Sequence, residues 1–173
     1  ASPEQVEGGE VSIRSDVYSL GVVLFELLTG CSPYAGGSPA LLLRDVCERE
    51  PRKPSTVAKE SDAEHCSLFG EDGAGLAERL AGDLDWILLT ALRKDPERRY
   101  PTVVHLGDDL RRHLEGRPVS AVPDSWRYRT SKLIGRHRIA AVALAVAAVL
   151  FVGASVATAL SGLRAVRAAE LVD

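Results

Sequence analysis

Asp16-Val17-Tyr18-Ser19-Leu20-Gly21-Val22-Val23-Leu24-Phe25-Glu26-Leu27-Leu28-Thr29-Gly30 is the stretch on which the fold turns. From Val17 to Leu28 the apolar side chains cannot be fitted onto one stripe of a helix, which marks either the buried centre of a domain or a membrane span. About a dozen residues are too few to span a bilayer, so this is expected to be a core helix. Ser15 offers an N-cap and Thr29-Gly30 a stop.

Working outward, residues 1–13 are polar and turn-rich. Beyond Gly30, Ser38-Pro39 reads as cap and first helical residue of a helix over 39–48, with Leu41, Leu42 and Val46 available for packing. Residues 50–82 are rich in Pro, Ser, Gly and charge without a sustained period, and are expected to form a long surface loop holding one turn of helix near Leu76–Leu80. Asp83 and Asp85 then lead a helix carrying Leu84, Ile87, Leu88, Ala91 and Leu92, closed by Arg93 and Lys94 ahead of Pro96. A last helix over 102–114 puts Val103, Leu106, Leu110 and Leu114 on one face, and Asp108, Asp109, Arg111 and Arg112 on the other, before Gly116. No strand-like alternation precedes residue 138, so the fold class is mainly α, with five helices once the apolar segment described below is included.

In order, Ser2-Pro3-Glu4, Asp16-Val17-Tyr18-Ser19-Leu20-Gly21 and Lys94-Asp95-Pro96-Glu97-Arg98-Arg99 resemble the distal half of protein kinase catalytic domains, bacterial Ser/Thr (Hanks-type) members in particular. The resemblance implies the C-terminal helical lobe of the kinase fold, over residues 1–117, beginning at the end of the activation segment. It implies that Glu4 pairs with Arg99 and ties that segment to the lobe. It makes Asp16 the carboxylate that accepts backbone N–H bonds from the catalytic loop, and Val23 and Leu27 the floor of stacked apolar columns. Glu26 matches a position that meets basic substrate residues in some relatives; a solvated carboxylate explains it equally well. Ser2 stands where alanine is commoner, and 50–82 is longer than a minimal kinase needs.

The glycine-rich loop, strand lysine, catalytic-loop Asp and Asn, and metal-binding Asp of a kinase are missing from these 173 residues. Gly70, Gly73 and Gly75 lie in a polar loop with no preceding strand, which does not suit a phosphate cradle. ATP and Mg are therefore expected in an intact parent, with neither bound by this piece, which should be inactive alone. The chain begins with Ala1 and contains no Met, which fits a fragment. Without the surfaces that cover the central helix, it is expected to be poorly stable by itself. A non-catalytic pseudokinase lobe serving as a membrane adaptor is the rival expectation.

From Ile139 to Leu163 run 25 uncharged residues, nine of them Ala. At about 1.5 Å per residue they reach roughly 37 Å, enough to cross a hydrocarbon core of about 30 Å, so 139–163 is expected to be a single transmembrane helix. A basic juxtamembrane linker, 118–138, carries Arg127, Arg129, Lys132, Arg136 and Arg138, against Arg164 and Arg167 on the far side. That asymmetry puts the kinase part in the cytoplasm of a single-pass cell-membrane protein. Residues 164–173 look like the start of an extracytoplasmic helix. Small residues four apart, Ala143 with Ala147 and Gly153 with Ala157, would permit a homodimer.

The expected partners are thus protein substrates and a membrane. A net charge of −3, mixed in sign, gives no case for nucleic acid. Cys31, Cys47 and Cys66 form neither a CxxC nor an even set, and are expected to be idle thiols.

Overall fold

The computed structural model describes residues 1–34 and 37–123, and the single positions 128 and 130. The chain divides into two units, 1–126 and 127–173, and the helices α1 to α8 all lie in the first. They are α1 (Pro3–Val6), α2 (Ile13–Thr29), α3 (Pro39–Glu48), α4 (Pro54–Val57), α5 (Ala63–Ser67), α6 (Gly73–Leu80), α7 (Asp83–Ala91) and α8 (Val103–Leu114), with 3-10 turns at Ala58–Glu60 and Pro96–Arg98. Among the described residues there is no strand, and no helix is long and apolar enough to cross a membrane. The expected span at 139–163 lies outside the described residues, as do 164–173 and, in the basic linker, residues 124–127, 129 and 131–138.

The central helix starts earlier than its sequence suggests. Ser12, not Ser15, is the N-cap: its hydroxyl accepts from the Arg14 amide, while the Ser15 hydroxyl accepts from the Ser12 amide in a capping box. That arrangement leaves Ser15 buried at the third helical position, facing α1. Gly30 ends the helix with φ of 68°, the left-handed conformation that glycine adopts without strain. α3 has the expected bounds, with Ser38 accepting from the Leu41 amide and Pro39 in the first turn. Of its expected packing residues only Val46 is buried; Leu41 and Leu42 are exposed, because α3 rests on the lobe by its C-terminal half.

Two apolar clusters hold the lobe. Tyr18 and Phe25 of α2 meet Tyr34, Val46, Val57 and, from α7 and just beyond it, Leu88 and Leu92. Ala58, Cys66, Leu76, Ala77 and Leu80 form the second cluster, with Leu28 packed against both. The second cluster corrects the expectation for 50–82. That segment is not a surface loop but three short helices and a 3-10 turn folded around their own core. It is fastened to α7, where the Asp85 carboxylate accepts from the Ser55 amide at 2.9 Å and the Ser55 hydroxyl at 2.7 Å.

α2 and α7 approach so closely at Gly21 that a Cβ there would stand 2.9 Å from Ala91 Cβ. Gly21→Ala is therefore expected to cost stability: overpacking of about 1–3 kcal/mol outweighs a helix-propensity gain of at most about 1 kcal/mol. Urea midpoints would test this, with Ala91→Gly restoring part of the loss in the double variant.

The buried side of α2 leaves the opposite side bare. Ile13, Leu20, Val23 and Leu27, with Asp16, follow one another at spacings of three and four and are exposed; Val23 retains 51% of its surface and Leu27 64%. An apolar stripe of this kind marks an unfilled packing face. Val23 and Leu27, expected beneath an apolar column, are thus outside the core of the described residues.

Candidate functional site

The chemistry is concentrated where α1, the start of α2 and the 94–100 segment meet. Arg99 has a side chain with no solvent exposure, and all five of its N–H groups are used. Nη1 and Nη2 donate to Glu4 Oε1 and Oε2, both at 2.8 Å, a bidentate fork. Nη1 also donates to the Arg14 carbonyl at 3.0 Å, Nη2 to the Lys94 carbonyl at 2.9 Å, and Nε to the Arg93 carbonyl at 2.6 Å. The guanidinium lies 4.9 Å from the centre of the Tyr18 ring.

Glu4 takes a further bond from the Ser15 hydroxyl at 2.6 Å. Burial by itself would raise its carboxyl pKa, but the bonds from Arg99 and Ser15 prevail and hold it at about 2. The carboxylate thus stays charged throughout the neutral range. The expected Glu4–Arg99 pair is present, joining residues 95 apart in sequence. It closes α1 onto the lobe, and an exposed bridge between Arg14 and Glu97 lies beside it.

A second network holds α3. Lys94 Nζ donates to the Tyr34 hydroxyl at 2.8 Å and to the carbonyls of Val46 at 2.6 Å and Asp45 at 3.3 Å, in the last turn of α3, where a cation suits the helix dipole. The Tyr34 and Tyr18 hydroxyls are 2.7 Å apart. Burial is the main reason that Lys94 has its pKa lowered to about 8, and burial also raises that of Tyr34.

Asp16 and Glu26 are both exposed on α2, Asp16 on the apolar stripe and Glu26 at its flank; neither joins the Glu4–Arg99 site. Asp109, expected on the solvent face of α8, is instead wholly buried. The residues that bury it, 119–121, lie past Gly116, where a helix pattern carries no information, although its neighbour Tyr100 in an otherwise charged stretch was a partial signal. The glycines of 70–75 do not suit a phosphate. The amide of Gly75 is taken by Asp72 at 2.7 Å, so an acid already occupies the start of α6, and a Cβ at Gly73 would meet the Ala58 carbonyl at 3.2 Å.

A family model described as Protein tyrosine and serine/threonine kinase matches residues 1–64. Over 120 residues, 69% of this chain, the sequence is 41% identical to the serine/threonine-protein kinase PknB of Mycobacterium tuberculosis. It is 39% identical to PknB of Mycobacterium leprae and 35% identical to a probable serine/threonine-protein kinase of Streptomyces coelicolor, each over the same length. The helical lobe is that of part of a protein kinase catalytic domain. The chain belongs to the serine/threonine protein kinase family. It spans only 16% of the length of the M. tuberculosis and M. leprae relatives and 15% of the S. coelicolor one.

Proposed function

We propose that the chain is the distal part of a membrane-anchored serine/threonine kinase that transfers the γ-phosphate of ATP to protein Ser or Thr in signal transduction. The observation that carries this reading is the buried bidentate Glu4–Arg99 pair, at the two positions where the family resemblance requires it. In this reading the lobe has two tasks. It fixes the end of the activation segment through Glu4, and it seats the remainder of the catalytic domain on the α2 stripe, with Asp16 there to accept backbone N–H bonds. Glu26, beside that stripe, is placed to meet basic residues of a protein substrate. ATP and Mg would be held by residues outside this chain.

The anchor rests on sequence: 25 uncharged residues at 139–163, with the denser basic flank on the lobe side, favour one span with the lobe in the cytoplasm. The small residues of that segment would permit pairing of two such chains.

The test is phosphate transfer. The intact cytoplasmic region, extended upstream of Ala1, is incubated with labelled ATP and a basic protein. Label on Ser or Thr, lost when the upstream catalytic Asp is changed, is the expected result. Absence of transfer, with that Asp missing from the natural sequence, would replace this reading with a non-catalytic adaptor.

A further inference from the structure

The Asp109 carboxylate has no part in the reading above, yet it is heavily bonded. Oδ2 accepts from the Tyr100 hydroxyl at 2.9 Å, the Ser120 hydroxyl at 2.8 Å and the Ala121 amide at 2.9 Å. Oδ1 accepts from the Ser120 amide at 2.8 Å and, at 3.4 Å, from Arg112. A buried carboxylate is costly unless donors surround it, and here three of those donors belong to Ser120 and Ala121, beyond the end of α8. Val119 is buried beside them, whereas Ser120 is exposed. The chain leaving α8 is therefore pinned at the rim of the lobe by a charge in its interior.

Tyr100 is the peptide neighbour of Arg99. A hydrogen-bonded path thus runs from Ser120 and Ala121 through Asp109 to Tyr100, across one peptide plane to Arg99, and on to Glu4. All of it lies within the first unit, and both Tyr100 and Arg99 are buried.

We propose that Asp109 is a clasp that couples the exit of the chain at residues 120–121 to the Glu4–Arg99 pair, so that detaching those residues loosens the segment around α1. The substitution Asp109→Asn tests this, because the NH2 group it introduces must face the amide of either Ser120 or Ala121, and donor then meets donor. Amide hydrogen exchange is followed by NMR on the full 173-residue chain in detergent micelles.

In Asp109→Asn, exchange at Ser120 and Ala121 should rise on the order of tenfold, the effect of losing a bond to a charged acceptor. Glu7 and Gly9, whose amides donate to Pro3 and Glu4, should exchange several-fold faster while Phe25 and Leu28 stay unchanged. Coupling is reciprocal, so Glu4→Gln should in turn speed exchange at Ser120 and Ala121. Should Asp109→Asn loosen the whole lobe, Ser120→Ala decides: it removes one bond at an exposed residue and should give a smaller rise at both places. Release of Ser120 and Ala121 in either variant with Glu7 and Gly9 unmoved would overturn the coupling.

Discussion

Arg99→Ala is expected to destabilise the lobe by about 3–5 kcal/mol, the usual cost of stranding one partner of a buried ion pair. The effect goes beyond the pair, because the same side chain serves the carbonyls of Arg14, Arg93 and Lys94, and its loss leaves all three without that donor. Arg99→Lys should recover little: an ammonium cannot supply a planar fork to Glu4 together with three carbonyl bonds. Against a typical domain stability of about 5–15 kcal/mol, and with an apolar stripe open on α2, the variant should be largely unfolded at urea concentrations the parent tolerates. A midpoint shift equivalent to under 1 kcal/mol would show the pair to be peripheral.

Acid provides a second view of the same contact. The Glu4 carboxyl, with an ordinary pKa of 4.5, is held at about 2 in the fold. A depressed carboxylate pKa means that its contribution is fully present above the unfolded value and is lost as the pH falls through the folded one. The stability difference between the parent and Glu4→Gln should therefore be constant from pH 7 down to about 5 and shrink progressively towards pH 2. Other carboxylates titrate in both proteins and cancel in the difference.

Much of this site is legible in the sequence, though by different routes. Ser38-Pro39 and Gly30 announce helix ends through local chemistry, and the structure has them where that chemistry puts them. The Glu4–Arg99 contact has no local signal at all; it is legible only because the three motif strings fall in kinase order. Residues 50–82 are misread because helices of four, five and eight residues are too short to express a 3.6-residue period, and their core is built from small or sparse residues such as Ala58, Cys66 and Ala77. Asp109 is misread for the opposite reason. It sits in a good amphipathic pattern beside Asp108, Arg111 and Arg112, and only the return of residues 119–121 makes its position interior. Ser15 fails as a cap because the helix gains a turn from Ser12, after which its hydroxyl is free to bind Glu4.

The second large effect is expected at Phe25. Its ring is fully buried between Tyr18, Val57, Leu88 and Leu92, and Phe25→Ala should cost about 3–5 kcal/mol, transfer and cavity together. Collapse around the gap is restrained, since Lys94 anchors α3 and Asp85 anchors α4, so the cost should fall toward the upper end. Leu27, two residues on, makes the informative contrast. Because it is exposed, Leu27→Ala should change the stability of this chain by no more than about 0.5 kcal/mol. In the longer protein extended upstream of Ala1, where the stripe is proposed to be covered, the same substitution should cost about 2–5 kcal/mol, as for any buried leucine. Phe25→Ala should be costly in both contexts, because its neighbours are already in place here. A Leu27→Ala cost that stays near zero in the longer protein would mean that the stripe remains open there, and the seat assigned to the rest of the catalytic domain would have to lie elsewhere on the lobe.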